Sequence, residues 1–343
     1  CLFHFSLVLL FLLILIRIVR KEKRKYLLSI KCLCYTDFIK NEECEGCCVR
    51  PEVLCGSPFS SNRRNDMLKI REYVKVKDLE EAYQLNQKRS ACVLGGMVWL
   101  KMGNRNVGTA IDLSGLGLDT IEEDGEGFRI GAMVSLRDLE THKGLAEYTG
   151  GAMKESLRHI VGVQFRNCAT AGGSIFGRFG FSDVLTMFLA MDSYVELYKG
   201  GILPMEEFAK MKRDRDILIR ILVKKRPAAM AYMSQRNSST DFPVLACGVS
   251  LFEDGEARVT LGACPYKAVL VKDEEGILRD FLKKDSKEQE KAAEAFAAYA
   301  REHVRTGSNM RGSAQYRSHL VQVLVKRALI QAGGREHGNK VLA

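Results

Sequence analysis

Two glycine pairs, Gly95-Gly96 and Gly172-Gly173, carry the clearest chemistry in this chain. Each follows a short apolar run, Ala91–Leu94 in the first case and Ile160–Phe165 in the second, and both runs read as strands. Residues without a Cβ let the backbone approach a ligand closely and adopt positive φ. Consecutive N–H groups at such a turn also make a concavity for an anion such as a pyrophosphate. One pair of this kind is usually an ordinary strand-to-helix turn. Two pairs, the second followed by Asp183, make phosphate binding the better reading. The segment Val93, Leu94, Gly95, Gly96, Met97, Val98 is expected to wrap the phosphates through backbone donors, for which side-chain identity is secondary. Thr170 either offers a hydroxyl beside the second pair or simply ends a strand. Asp183 either faces the ligand or caps the apolar helix expected to begin at Val184.

Other chemistries find little support. Gly115-x-Gly117 lacks the third glycine of a dinucleotide fingerprint, since Thr120 stands there, and no G-x-x-x-x-G-K-[ST] occurs. His142, His159, His303 and His319 are scattered without metal-ligand or triad spacing. Of eleven cysteines, seven lie in residues 1–66, including Cys32, Cys34, Cys44, Cys47, Cys48 and Cys55. A plant-type two-iron spacing ending at Cys44 and Cys47 would need its first ligand at Ile39. No second spaced pair completes a zinc set. Cys92, Cys168, Cys247 and Cys264 are isolated in apolar context and read as reduced.

Residues 1–66 stand apart from the rest. An apolar run from Phe5 to Ile16 precedes a basic flank, and the first methionine is Met67. A membrane anchor needs about 20 apolar residues, more than this run supplies. A secretory signal would carry its charge before the run and not after it. The favoured expectation is that AT-rich DNA upstream of the gene has been read in frame, so that residues 1–66 are an untranslated leader or non-native extension and the native protein begins at Met67. The net charge of +10 divides into +4 for this segment and +6 for the remainder, scattered rather than striped. No basic stripe with interleaved aromatics points to nucleic acid, and no membrane association is indicated for the body.

Periodicity and caps place the remaining elements. A helix is expected over 78–88 with Asp78 as its N-cap. Short strands are expected at 92–94, 109–113 and 128–130, and Ser135 with Asp138 opens a helix. Further on come a helix at 184–191, strands at 193–197 and 217–223, and a helix after Pro204. Beyond a joint at Lys224–Pro227 come strands at 228–236, 244–252 and 257–263, then helices near 275–283, 290–303 and 313–332. Strands mixed with helices, followed by a three-stranded meander under helices, describe an α+β protein of two domains. The expected divisions are 67–226, 228–335 and a tail over 336–343.

The motifs resemble those of the FAD-binding subunit of molybdenum hydroxylases, the xanthine dehydrogenase and carbon monoxide dehydrogenase flavoprotein family. Family members carry a loop like AGGTDLL, then Met-Lys, a strand like IDLS and a segment like LxIGAxxTLxDLE. Here these read LGGMVWL, Lys101-Met102, Ile111-Asp112-Leu113-Ser114 and Arg129–Glu140. The family's RNxATIGGNI followed by SD appears as Arg166–Ile175 and Ser182-Asp183. The likeness runs from about Met67 to about Ala332. It implies a two-lobed FAD-binding domain of the molybdopterin dehydrogenase type and a smaller C-terminal flavoprotein domain. It also implies FAD contacts from Thr170, Ala171, Gly172, Gly173 and Ser174, and a polar contact from Asp183. Ile160 and Leu218 match apolar positions beside the isoalloxazine, though each suits a core equally. Met97 and Ser174 replace a family Thr and Asn, and Met233 stands where some members carry a lysine after an aromatic, here Tyr232.

The function implied is electron transfer. A molybdopterin-binding large subunit would oxidise a heterocycle or aldehyde, a two-cluster iron–sulfur small subunit would relay electrons, and FAD here would pass them to NAD or another acceptor. The chain has no catalytic or metal residues of its own under this reading, and the flavin is expected to be non-covalent and the complex cytoplasmic. Two rivals stay open: a self-contained FAD-dependent oxidase, and a subunit that has lost FAD and only braces the complex.

Overall fold

The computed structural model describes residues 67–334, and the expectations for residues 1–66 and for the tail beyond 334 lie outside them. Three sheets organise the chain. Strands β1 (Lys69–Lys75), β2 (Ala91–Leu94) and β3 (Asn106–Asp112) form a parallel sheet in the order β1-β3-β2. Helix α1 (Leu79–Asn86) covers it, and Asp78 caps that helix by accepting from the Glu81 N–H at 2.8 Å. Parallel strands need crossovers, and α1 supplies the one between β1 and β2. The ends of all three strands, Lys75, Leu94 and Asp112, therefore come out on one edge.

A second sheet holds β4 (Ile121–Glu123), β5 (Gly127–Gly131), β6 (Ser193–Leu197), β7 (Gly201–Pro204) and β8 (Leu218–Lys224), in the antiparallel order β4-β5-β8-β6-β7. Between β5 and β6 run six short helices, α2 (Leu136–Thr141), α3 (Lys143–Tyr148), α4 (Ala152–Arg158), α5 (Val163–Cys168), α6 (Ala171–Phe176) and α7 (Asp183–Ala190). Helix α8 (Met205–Lys210) follows β7, with Pro204 at its N-cap.

The C-terminal part packs α9 (Ser286–His303) and α10 (Ala314–Gly333) on an antiparallel sheet of β9 (Ala228–Arg236), β10 (Pro243–Phe252), β11 (Ala257–Gly262) and β12 (Val269–Val271). Asp285 and Glu288 form a capping box on α9, and Ser313 caps α10. Every residue of β10 is buried because helices cover both faces of its sheet. One of those helices is α7, wholly buried and apolar apart from Asp183 and Thr186, lying between the five-stranded and four-stranded sheets. Gly248 and Gly262 make that approach possible. A Cβ at Gly262 would stand 2.2 Å from the Thr186 hydroxyl oxygen, and one at Gly248 would stand 3.2 Å from the Ala190 Cβ.

Several expectations need correction. The run at 160–165 is not a strand, since α5 occupies Val163–Cys168 behind a Gly162 N-cap. A run this short does not separate helix from strand by periodicity. The helix expected near 275–283 is reduced to a short 3-10 turn, Phe281–Lys283. Gly276 at φ +70° and Asp280 at φ 53° break it, and the Asp273 carboxylate accepts the Ile277 and Leu278 N–H groups instead. The meander gains a fourth strand, β12, only three residues long and so without a legible alternation. Thr170 is no strand end, because it caps α6 and its hydroxyl accepts the Gly173 N–H at 3.2 Å. The helix at 184 starts one residue earlier and its cap is Ser182, so Asp183 lies in the first turn and is free for other partners.

Candidate functional site

The two glycine pairs meet. The first follows β2 at the edge where the parallel strands end, the side on which ligands bind in such sheets. A Cβ on Gly96 would lie 1.6 Å from the Cys168 carbonyl oxygen, and one on Gly95 would lie 2.8 Å from the Thr170 hydroxyl oxygen. Only glycine allows the first loop to rest on the α5–α6 junction. Met97 completes the bend in the left-handed region at φ 56°.

Their backbone donors behave differently. Among the described residues, none accepts a hydrogen bond from the N–H of Gly95, Gly96, Met97, Val98 or Trp99. Five successive donors are thus available at one bend. Around the second pair every donor is engaged. Ala171 N–H bonds to the Val134 carbonyl and Gly172 N–H to the Ala132 carbonyl, each at 2.8 Å. Gly173 N–H goes to the Thr170 hydroxyl, and Ser174 N–H to the Thr170 carbonyl at 3.1 Å. The second pair is wound into the first turn of α6, with no positive φ at either glycine. Gly172 is small because a Cβ would meet the Ala132 carbonyl oxygen at 2.6 Å. Gly173 has only the Thr170 hydroxyl near its Cβ position, at 3.1 Å, so that flank is open. Among the described residues, the N–H groups without a protein acceptor therefore form one row at the first pair, resting on a helix turn at the second.

The remaining expected residues fall into two groups. Val98 and the partly buried Ile160 pack on the main core, Leu94 and Met97 on a small cluster with Val107 and Ala110, and Val93 under the parallel sheet. Leu218 is in the core itself, 5% exposed, and presents no open surface. Asp183 is buried and faces the C-terminal domain. Its Oδ1 accepts from the Tyr232 hydroxyl at 2.5 Å and from Arg236 Nη2 at 2.6 Å. Burial pushes the Asp183 carboxyl up from its ordinary range, and the Arg236 charge opposes this. Burial, reinforced by the Asp183 charge, raises the Tyr232 hydroxyl well above its usual value. This cluster joins the N-terminus of α7 to β9.

A second buried pair holds the α5–α6 junction. Arg166 Nε donates to Glu140 Oε2 at 2.8 Å, with both side chains about 5% exposed, and Arg166 Nη1 donates to the Ile160 carbonyl at 3.0 Å. Burial opposes ionisation of Glu140, but hydrogen bonds from Arg137 and Arg166 hold its carboxyl below the usual range.

Sequence reasoning passed over the rings around Trp99. Trp99 stacks on Phe242 of the β9–β10 connection at 5.5 Å and meets Phe165 and Phe181 edge-on at 5.6 and 6.4 Å. The signal was present as a tryptophan inside LGGMVWL and as RFGF after the second pair. Two clefts of about 500 and 390 Å³ lie elsewhere, and neither lining includes a residue of the glycine pairs.

The residues at the first loop fit the pyrophosphate of FAD: a row of unengaged N–H donors, on a backbone that only glycine can bring this close to its support. The profile described as FAD binding domain in molybdopterin dehydrogenase matches residues 67–225, and that of the CO dehydrogenase flavoprotein C-terminal domain matches 230–332. The chain is 26% identical over 264 residues to the Escherichia coli K12 protein YgfM, covering 75% of this chain and 94% of that one. It is also 26% identical over 281 residues to the nicotine 6-hydroxylase medium subunit of Paenarthrobacter nicotinovorans, covering 77% of this chain and 97% of the relative. A carbon monoxide dehydrogenase chain from Hydrogenophaga pseudoflava shares the fold, with a TM-score of 0.68 at 24% identity, over 76% of this chain and 96% of that one. No helix among the described residues is long and apolar enough to cross a membrane.

Proposed function

For a chain that belongs to the FAD-binding flavoprotein subunits of molybdopterin dehydrogenases, we propose the role of electron-transfer medium subunit in a molybdenum hydroxylase complex. The observation that carries this reading is the row of N–H donors from Gly95 to Trp99, set against the Cys168–Thr170 backbone. When bound, FAD supplies the coupling of two-electron oxidation to one-electron carriers. The chain's own residues bind and orient. Gly95, Gly96, Met97, Val98 and Trp99 supply backbone donors for the pyrophosphate. Gly172 and Gly173, with Ala171 and Ser174, form the supporting turn, and Thr170 fixes it through its hydroxyl. Asp183 secures the C-terminal domain beside the site through Tyr232 and Arg236.

The partners are a molybdopterin-binding large subunit and a two-cluster iron–sulfur small subunit, in the cytoplasm, with NAD or another molecule as the electron acceptor. The nicotine hydroxylase relative supports a heteromeric complex, since it is a medium subunit. The purified full chain is expected to be yellow and to release about one FAD per chain on denaturation, because no histidine adjoins either glycine pair to link the flavin. A folded, colourless chain that takes up no added FAD would favour the bracing subunit. Oxidation of an alcohol by the chain alone would favour the self-contained oxidase.

A further inference from the structure

Trp99 is the only tryptophan in the chain and the last residue of the donor row. Three aromatic rings surround it, Phe165 from α5, Phe181 from the α6–α7 connection and Phe242 from the C-terminal domain. It is nevertheless 42% exposed. Phe242 is itself held: Arg311 lies over its ring at 4.9 Å and bonds the Asp241 carboxylate at 3.0 Å, while Arg236 Nη1 bonds the Asp241 carbonyl at 2.7 Å. The indole is thus held by rings from both domains, still partly exposed, and carried on the same loop as the donors. A rigid, half-covered indole next to an anion cradle suits a flat aromatic group attached to that anion.

We propose that Trp99 is the stacking platform for the isoalloxazine ring of FAD, a positioning residue that reads the cofactor's aromatic end while the loop behind it reads the phosphates. The assignment rests on the FAD-binding function proposed above. It favours the isoalloxazine over the adenine because the electron-poor flavin ring stacks best on an electron-rich indole. Phe242 then gives the C-terminal domain a hold on the flavin, since moving Phe242 removes the support behind Trp99.

The test compares the full-length wild type with Trp99→Phe and Trp99→Leu after reconstitution with FAD, reading flavin occupancy, affinity and emission. An indole in contact with an excited flavin quenches it, and a phenylalanine or leucine does not. Tyr232 is unchanged in all three proteins, so any brightening reports Trp99. At equal occupancy, bound flavin should be weakly fluorescent in the wild type and several-fold brighter in both variants. Trp99→Leu should bind FAD about three- to tenfold more weakly, the range that an aromatic pair contributes. Trp99→Phe preserves a ring against Phe242 and carries the test if Trp99→Leu folds poorly. Equal emission in wild type and Trp99→Phe would overturn the assignment, even with affinity altered, since that pattern belongs to adenine stacking. Failure of the wild type to take up FAD would overturn the functional reading and the platform with it.

Discussion

The two glycine pairs share a dipeptide and an apolar lead-in but differ in what their backbones do. Gly95-Gly96 sits in irregular chain after a parallel strand, with N–H groups that meet no protein acceptor among the described residues. Gly172-Gly173 sits in the first turn of a helix, with N–H groups bound to the Ala132 carbonyl and the Thr170 hydroxyl. On the proposed reading the first pair donates to the ligand and the second supports it. Glycine is required in both for different reasons: Gly96 must clear the Cys168 carbonyl, and Gly172 the Ala132 carbonyl. A Gly-Gly motif is therefore evidence of close backbone approach and not, by itself, of which backbone meets the ligand.

Mutations separate the two roles. The largest loss is expected from Arg166→Met, which leaves the buried Glu140 carboxylate beneath the support with only the half-exposed Arg137 as a charged partner among the described residues and should cost about 3 kcal/mol, the low end for a broken buried pair. Thermal or urea unfolding measures it, and a cost under about 1 kcal/mol would show that the junction does not depend on the pair. The same pair gives a pH signature. Because the Glu140 carboxyl is held below its ordinary value, its contribution is present above the usual carboxylate range and disappears as pH falls through the lowered folded-state value. Glu140→Gln should flatten that acid limb, and an unchanged limb would assign it to other carboxylates.

Next in size is Gly96→Ala. Its Cβ would collide with backbone and not with a movable side chain, so it should cost at least the ~1–3 kcal/mol typical of overpacking and also lose flavin. Gly172→Ala meets the Ala132 carbonyl less severely and should lower stability while leaving the donor row intact. Flavin lost at position 172 in proportion to that at 96 would erase the distinction between donor and support. Smallest is Met97→Gly. It relieves a left-handed residue, and the roughly 1 kcal/mol this returns partly offsets the added freedom of the unfolded chain. Near-neutral stability with flavin retained is expected. Loss of flavin would give the Met97 side chain a role that backbone donors do not require. Gly125→Ala, in open space, serves as the control for all of these.

The elements with strong local signals were legible in the sequence. Asp78 before Leu79, Ser135 with Asp138, and Ser313 before Ala314 announced helix starts, and strand β9 was bounded at 228–236. Strand β1 is not legible in the sequence, because six of its seven residues are exposed and it has no apolar alternation. The engagement of the second glycine pair is not legible, because its hydrogen bonds reach residues nearly forty positions away, at Ala132 and Val134, beyond any local pattern. Asp183 stands out in the sequence as a ligand contact or a helix cap, whereas the partners it meets, Tyr232 and Arg236, arrive from another domain and leave no local signal. The ring cluster on Trp99 escaped for the same reason: Phe165, Phe181 and Phe242 are far apart in sequence and meet only after folding.

Hydrogen exchange of the backbone amides, with and without FAD, tests the central claim most directly. The account predicts that FAD slows exchange strongly across Gly95–Trp99, whose amides meet no acceptor among the described residues, and changes little across Ala171–Ser174, whose amides are already bonded. Protection confined to Ala171–Ser174, or no protection at Gly95–Trp99 in flavin-loaded protein, would contradict it.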